Sequence, residues 1–318
     1  METIGSPLLW GAFALLVVLA LQVDLVLMRH GGPHKVTVRE AAWWSLGWVA
    51  LALAFNAGLW WYLKGTAGPE VAHRIGLEFL TGYLVEKSLA VDNIFVFLTI
   101  FTYFAVPEEQ RQRALVIGVL GAIALRAVMI FAGAALLARF HWMLYVFGVF
   151  LLVTGVKMWI AAGQEPDLAR NPVLRWMRGH LPLLRNYQGN ALSVVRNGRR
   201  LYTPLFVVIV MIAITDVIFA VDSIPAIFAI TYDPFIVLTS NVFAVLGLRA
   251  MFFLLAGMAD RFHLLPYGLA LVLAFIGTKM LIVEWYKIPV LASLAVVALV
   301  LAATMVLSLL LPPRVPAD

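Results

Sequence analysis

Long apolar segments recur along the whole chain and constrain its fold more than any other feature. A helix needs about 20 mostly apolar residues to cross a bilayer, and nine segments meet or approach this length: 7–28, 42–63, 76–105, 114–137, 142–162, 202–231, 235–258, 264–283 and 288–311. Only 13% of the residues are charged, whereas soluble domains carry about 25%. The sequence therefore predicts an all-α polytopic membrane protein with about nine transmembrane helices.

The basic residues predict the orientation of these segments, because cytoplasmic loops carry an excess of Lys and Arg. With the N-terminus outside, 14 of the 23 Lys and Arg residues fall in inside loops, 4 in outside loops and 5 within spans. This distribution favours N-terminus out and C-terminus in, and it explains the net charge of +6 without a nucleic-acid partner. The Arg-rich, Pro-containing segment 163–201 is predicted to be a cytoplasmic linker that sets topology, with binding of anionic lipid or a partner as the alternative. Glu78, near the outer end of its span, is expected to be solvated.

Two parts of the chain resemble each other at rare polar positions. "EKSLAVDNIF" (86–95) aligns without gaps to "DVIFAVDSIP" (216–225), with an acid first and A-V-D in the middle of each. Farther along, segments 139–158 and 261–280 match at 8 of 20 positions. Chance similarity between apolar segments would give scattered Leu and Val matches instead, so the sequence indicates an internal duplication.

The duplication predicts an inverted repeat. Each copy contains three predicted spans, and this odd number makes the second copy enter the membrane from the opposite side, as in many secondary transporters. The predicted organisation is two N-terminal helices in 1–75, the first three-helix repeat in 76–162, the cytoplasmic loop in 163–201, the second repeat in 202–283, and the last helix and tail in 284–318.

Four carboxylates occupy equivalent places in the two copies: Glu86 and Asp92, Asp216 and Asp222. A charged side chain at the bilayer centre costs about 3 kcal/mol or more, so these acids are expected to face the protein interior with a partner. Asn93 and Ser223 directly follow the second acid of each copy. Such oxygen ligands suit Mn²⁺, Mg²⁺ and Ca²⁺, whereas Zn²⁺ and Cu²⁺ favour His and Cys. These six residues form the predicted metal-ion site.

The spacing of the acids predicts a break in the helices that carry them. Residues six apart lie about 120° apart around an α-helix and about 9 Å apart along it. Both acids of a pair are therefore expected to reach one cavity if the backbone unwinds between them. In the second copy Pro225, which cannot donate to the carbonyl of Val221, supplies a reason for unwinding.

Basic residues within the spans are candidate counter-ions for the acids. Lys87 follows Glu86 directly, and Arg126 and Arg249 stand at equivalent places in two "LRA" triplets. The two arginines are predicted to form ion pairs with the acids when no metal is bound. The alternative is that they take part directly in proton coupling. A purely structural network of ion pairs between the halves is a further interpretation. Asn241, in the polar triplet "TSN", is a candidate for pore lining or for helix packing.

Four stretches carry a family resemblance: "GYLVEKSLAVDNIFVF" (82–97), "DVIFAVDSIPAIFA" (216–229), "LTSNVFAVLGLRAMFFLLAG" (238–257) and "PYGLALVLAFIGTKM" (266–280). They resemble the TerC family of membrane proteins, and within it the Alx branch, over essentially the whole chain. The loop 163–200 and the C-terminal tail match weakly. The resemblance implies a bacterial inner-membrane protein linked to manganese efflux and, under older names, to tellurium resistance. The family's intramembrane acids map onto the four carboxylates above.

The leading hypothesis is a secondary transporter that exports Mn²⁺ and lies in the lipid bilayer, with H⁺ as one candidate coupling ion. No nucleotide-binding G-x-x-x-x-G-K-[ST] motif occurs, and no prosthetic group is expected. An intramembrane aspartyl protease would need two Asp sharing a proton, and the Gly-x-Gly-Asp segment typical of such enzymes does not occur, so the protein is not expected to be an enzyme. The alternative is a membrane scaffold or metal-loading partner for exported proteins.

Overall fold

The computed structural model describes residues 3–30, 37–140, 142–162, 168, 171–196, 198–256 and 262–311. Segments 163–167 and 312–318, which the sequence assigns to the loop and the tail, lie outside the described residues. Across the described ranges the fold is all-α except for one short β-hairpin. The predicted fold class is confirmed at this level.

Eleven helices make up the described fold: α1 (Pro7–His30), α2 (Val38–Thr66), α3 (Pro69–Tyr103), α4 (Glu108–Arg139), α5 (Met143–Ala161), α6 (Pro172–His180), α7 (Pro204–Phe228), α8 (Pro234–Val245), α9 (Leu248–Ala256), α10 (Leu265–Leu281) and α11 (Val290–Leu310). The hairpin consists of β1 (Ser193–Arg196) and β2 (Arg199–Tyr202). Helices dominate because hydrocarbon offers no hydrogen bonds, so each backbone N–H and C=O must be satisfied within its own segment. Proline in the first turn, where no intrahelical acceptor exists, begins α3, α6, α7, α8 and α10.

Six stretches of the described chain are long and apolar enough to cross a membrane: α2, α4, α5, α7, the α8–α9 pair and α11. Shorter apolar stretches occur in α1 (Pro7–Val23) and α10 (Leu265–Leu281). The 35-residue α3 carries several charged residues, which lower its hydropathy. Each of the nine predicted segments thus coincides with a helix or a helix pair, and the number of membrane crossings stays a prediction.

The helices that carry the acids are unbroken, so the prediction that they unwind is wrong. α3 runs continuously through Glu86 and Asp92, and α7 runs continuously through both of its acids. Pro225 lies in the last turn of α7, which ends at Phe228. A proline there removes one hydrogen bond to the preceding turn, and the helix ends before a further turn depends on it.

The interruption lies instead in the seventh predicted span, between α8 and α9. Leu246 and Gly247 form a turn there, and Gly247 has a φ of +93°. A Cβ atom at Gly247 would lie 2.8 Å from Cβ of Trp48 on α2, so the site has no room for a side chain. In the first copy Ala124 stands at the equivalent place, and α4 continues through it. The two copies therefore differ in backbone path just before their equivalent arginines.

Packing places the acid-bearing helices in the interior. α3 packs against α2, α7 and α8, α4 packs against α7, and α5 packs along α10. The apolar window of the α8–α9 pair is 89% buried inside the protein, against 17% for α11. α8 therefore lies at the centre of the helix bundle and α11 at its periphery.

The described part of segment 163–201 is folded rather than an open linker. It contains α6 and all of the hairpin except Tyr202, and it is hydrogen-bonded to the turn after α3 and to the first turn of α4. The Tyr187 hydroxyl donates to the carbonyl oxygen of Phe104, and Gln110 Nε2 donates to that of Gly189, both at 2.9 Å. Burial raises the pKa of Tyr187 from its ordinary value near 10 to about 12, so the phenol remains a hydrogen-bond donor even in alkaline solution.

Candidate metal-ion site

Arg126 on α4 lies at the centre of a buried cluster of charged residues. Its side chain is 1% exposed, and those of Glu86 and Asp216 are 1% and 3% exposed. The guanidinium donates through Nη1 to Glu86 Oε1, and to both oxygens of Asp216, through Nη2 at 3.1 Å and through Nε at 3.3 Å. The two acids come from different copies of the repeated sequence, so Arg126 joins α3 to α7.

A neutral residue completes the acceptors around Arg126. Asn241 on α8 is fully buried, and its Oδ1 accepts a hydrogen bond from Arg126 Nη1 at 3.1 Å. Four helices, α3, α4, α7 and α8, thus meet at one guanidinium. The sequence left Asn241 open between pore lining and helix packing, and the structure places it against the central charge.

A cavity of about 40 Å³ adjoins this cluster, whereas one water molecule needs roughly 10–15 Å³. The polar part of its lining consists of Glu86, Asp92, Asn93, Arg126, Thr154, Asp222 and Ser223. The structure therefore brings five of the six predicted ligand residues to one space. The sixth, Asp216, lies outside this lining and is bound to Arg126.

Both acids of α3 reach the cavity without any unwinding of the helix. Leu89 and Asn93 lie between Glu86 and Asp92 around the helix axis, and all four residues line the cavity. The cavity therefore covers about 120° of the surface of α3. A site of this width accommodates two acids six residues apart on an intact helix.

Three buried oxygen atoms of these lining residues have no hydrogen-bond partner among the described residues: Glu86 Oε2, Asn93 Oδ1 and Ser223 Oγ. Buried polar atoms are nearly always hydrogen-bonded, and each unsatisfied one costs roughly 1–3 kcal/mol. By contrast, Asp222 Oδ1 accepts a hydrogen bond from Thr154 Oγ1 at 3.3 Å. Unsatisfied acceptors beside a cavity are suited to bind a cation or ordered water.

Within the described ranges, no three acidic or histidine side chains converge as the ligands of one metal ion. Arg126 gives the physical reason, because its guanidinium occupies the space between Glu86 and Asp216. The acids are thus arranged around a fixed positive charge, and a metal ion could use them together only after that charge had moved.

The other two candidate counter-ions lie elsewhere. Lys87 Nζ donates to the carbonyl oxygen of Ala244 at 3.2 Å, near the C-terminal end of α8, where a cation is favoured by the helix dipole. Arg249 on α9 lines a separate cavity of about 20 Å³ together with Trp48. Arg126, by contrast, pairs directly with two of the predicted acids, Glu86 and Asp216.

Sequence reasoning missed two polar residues near the site. Thr154, an isolated threonine in an apolar helix, gave no signal. Glu78 was expected to be solvated, but it is only 5% exposed. A signal was available here, because residues eight apart lie about 80° apart around a helix, which places Glu78 and Glu86 on the same side of α3.

The sequence model of a protein family described as "Integral membrane protein TerC family" matches residues 71–315 of this chain. The chain belongs to the TerC family. This confirms the resemblance read from the sequence, and with it the assignment as a multi-pass integral membrane protein.

Several relatives align with the TerC-family chain over nearly its full length. A Salmonella typhi protein named "Putative membrane-bound redox modulator Alx" is 56% identical over 97% of this chain and 96% of its own length. The Escherichia coli K12 protein of the same name is 55% identical, with the same coverage. An uncharacterised membrane protein of Myxococcus xanthus is 49% identical over 99% of this chain and 97% of its own length. No solved structure matches the chain.

Proposed function

We propose that this protein is a secondary transporter that exports a hard divalent cation, Mn²⁺, across the bacterial inner membrane. The observation that carries the proposal is the cavity where Glu86, Asp92 and Asp222 face one space together with two unsatisfied neutral oxygens, Asn93 Oδ1 and Ser223 Oγ. Carboxylate, amide and hydroxyl oxygens are the ligands that hard cations prefer. The described lining includes neither His nor Cys, so it offers little selectivity for Zn²⁺ or Cu²⁺.

Arg126 is, in this proposal, the internal competitor of the transported ion. It engages Glu86 and Asp216, the acids that would complete a cation site between the two copies. Withdrawing the guanidinium with nothing in its place would leave two buried carboxylates uncompensated, which costs several kcal/mol. Exchanging Arg126 for a divalent ion keeps the acids compensated, so binding of the ion and movement of Arg126 are coupled.

Contacts between α5 and α10 support the proposed inverted repeat. A Cβ atom at Gly155 would lie 2.9 Å from the carbonyl oxygen of Ala270, and one at Gly277 would lie 2.8 Å from that of Gly148. In the alignment of the two copies, Gly155 is equivalent to Gly277 and Ala270 to Gly148. The contact between Gly155 and Ala270 therefore becomes the contact between Gly277 and Gly148 when each residue is replaced by its equivalent in the other copy.

A second pair of contacts between α5 and α10 is related by the same equivalence of residues. The Cβ position of Gly155 lies 3.0 Å from the backbone nitrogen of Ala274, and that of Gly277 lies 2.8 Å from the nitrogen of Leu152, its equivalent. Later positions on α5 meet earlier positions on α10, so the helices run antiparallel. A two-fold axis that exchanges antiparallel membrane helices lies in the membrane plane, which is the symmetry of an inverted-topology repeat.

A scaffold or metal-loading partner for exported proteins is the alternative function. Two of the relatives above carry the name of a redox modulator, and that name does not mention transport. This sequence contains no Cys, so its own residues cannot carry out thiol–disulfide exchange. In our proposal any effect on redox balance follows from the ion that the protein moves.

Flux through the purified protein tests the proposal. The wild-type protein, reconstituted into liposomes with an internal Mn²⁺-sensitive dye, is expected to move Mn²⁺ down an imposed ion gradient. The Glu86→Gln variant should lose most of that flux, whereas Glu109→Gln, at an exposed acid in the first turn of α4, should keep it. Flux no greater than in protein-free liposomes, from well-folded protein, would favour the scaffold alternative.

A further inference from the structure

Glu78 is a buried carboxylate outside the cluster just described. It lies on α3 eight residues before Glu86, which corresponds to about 12 Å along the helix axis. Glu78 is only 5% exposed. Its Oε1 lies 3.2 Å from Nη1 of Arg74, and the side chain of Arg74 is 60% exposed. The pair therefore joins the protein interior to the membrane surface at which α3 begins.

Groups from three helix ends surround this carboxylate. Thr231, in the turn after α7, and Asp233, the N-cap of α8, both lie within interaction range of Glu78. Lys279, near the end of α10, also interacts with it and is 8% exposed. Two acids, two cations and a hydroxyl thus gather at one end of the bundle. An ordinary surface ion pair one turn apart on a helix would leave its acid in water.

Polar groups continue from Glu78 to the central cluster. Gly82 lies halfway between Glu78 and Glu86 on the same side of α3, and a Cβ atom there would lie 3.0 Å from Oγ of Ser240. Gly82 thus lets the fully buried Ser240 hydroxyl approach this surface of α3. The next residue of α8 is Asn241, which contacts Arg126. A carboxylate, a hydroxyl and an amide follow one another between the membrane surface and the cavity.

We propose that Glu78 is a second ion-binding station of the transport path, between the central cavity and the membrane surface at which α3 begins. This inference rests on the proposed function. In the orientation predicted from the basic residues that surface is the outer one, so Glu78 would receive the exported cation and release it. Arg74 and Lys279 would replace the cation after release, as Arg126 does at the centre. One carboxylate with one hydroxyl makes a weaker site than the central cavity, as release requires.

Transport from each side of oriented liposomes tests this station. In Glu78→Gln the concentration of Mn²⁺ that gives half-maximal flux should rise about tenfold on the side where α3 begins, because a charged ligand is lost. On the opposite side it should stay within about twofold of wild type. Glu78→Asp should recover part of the loss, and Glu70→Gln, at an exposed acid in the first turn of α3, should behave as wild type.

The Arg74→Gln variant separates this role from a merely structural ion pair. If the pair only stabilises α3, then Arg74→Gln and Glu78→Gln should lower the thermal midpoint alike and leave the Mn²⁺ dependence on both sides unchanged. That result would refute the proposal that Glu78 is an ion-binding station. If Glu78 binds the ion, Arg74→Gln should keep or strengthen Mn²⁺ binding on the side where α3 begins. Absence of Mn²⁺ flux in the wild type would instead overturn the proposed function, so the two failures are distinguishable.

Discussion

Arg126 binds Asp216 through two different nitrogens, at 3.1 and 3.3 Å, in a part of the fold that excludes solvent. Two parallel hydrogen bonds fix the orientation of both groups as well as the distance between them. Arg126 belongs to the first copy of the repeated sequence and Asp216 to the second, so the pair ties these two segments together in the interior of the protein. Stability and transport should therefore depend on it in different ways.

Replacing Arg126 by Gln should destabilise the protein and make it more responsive to Mn²⁺. Loss of the guanidinium leaves Glu86 and Asp216 buried without a counter-ion, which costs about 3–5 kcal/mol. A divalent ion can then occupy the acids without displacing a competitor, so added Mn²⁺ should raise the thermal midpoint more in the variant than in wild type. Arg139→Gln, at the exposed end of the same helix, is the control. Equal Mn²⁺ stabilisation of variant and wild type would contradict the competition between Arg126 and the ion.

Neutralising Asp92 or Asp222 should abolish most Mn²⁺ flux and leave protein abundance near wild type. Asp→Asn keeps the shape and a polar group, whereas the ion loses a charged ligand where charges interact more strongly than in water. Abundance in the membrane and flux per molecule should be measured together for Asp92→Asn and Asp222→Asn. Low abundance with normal flux per molecule would support a purely structural ion network. Loss of flux for only one of the two would refute a site shared between the copies.

The oxygen ligands predict that Mn²⁺ is transported better than Zn²⁺. Zn²⁺ binds many ligand sets more tightly than Mn²⁺, so excess Zn²⁺ should compete for binding and reduce the initial Mn²⁺ flux in part. Zn²⁺ itself should move slowly, because its preferred His and Cys ligands are missing from the described lining of the cavity. Parallel measurements with dyes for each ion decide the point. Zn²⁺ flux equal to Mn²⁺ flux would show that the site does not select hard cations.

The positions of the helices could be predicted from the sequence because each is encoded locally. Apolar runs of membrane-spanning length, interrupted by few polar residues, specify helices before any tertiary contact is considered. The duplicated acids were equally visible, since Glu86 and Asp216 stand first in two matching decapeptides. The structure brings both to Arg126. That meeting place follows from the pairing of α3, α4 and α7, which no local pattern contains.

Features that depend on contacts between distant segments are encoded only weakly in the local sequence. At the break, Gly247 has a φ of +93° and lies against Trp48 of α2, whereas Pro225, the local signal that suggested unwinding, lies in the last turn of α7 and leaves that helix continuous. Glu78 is buried, and it interacts with groups of the α7–α8 turn and of the end of α10. Its position near the end of a predicted span favoured solvation. The local sequence predicts that a segment is helical. The contacts of a residue near the end of that helix depend on which other helices pack against it.

Single cysteines should test the predicted orientation, because the sequence has no native Cys to label. Thr66, the last residue of α2, is predicted to lie outside, and Asn190, before the hairpin, is predicted to lie inside; both are exposed. In intact spheroplasts a membrane-impermeant maleimide should label Thr66→Cys and spare Asn190→Cys until the membrane is opened. Labelling of both from outside would refute the orientation with the N-terminus out and the C-terminus in.

Substitutions at the two equivalent glycines should have equal effects if the α5–α10 interface is two-fold symmetric. In Gly155→Ala the new methyl group would lie 2.9 Å from a backbone oxygen of α10, and in Gly277→Ala it would lie 2.8 Å from one of α5. Backbone atoms cannot rotate away as a side chain can, so each variant should lose about 1–3 kcal/mol of stability.

Gly121→Ala on α4 is the matched control for this pair, because a Cβ atom there meets nothing within 4 Å. Alanine is also about 1 kcal/mol better than glycine within a helix, so this variant should be as stable as wild type or more stable. Thermal unfolding in one detergent compares the three variants directly. Similar midpoint losses for Gly155→Ala and Gly277→Ala, with none for Gly121→Ala, are expected from the exchange of contacts between copies. A large loss at one of the two glycines and none at the other would mean that the α5–α10 interface is not symmetric.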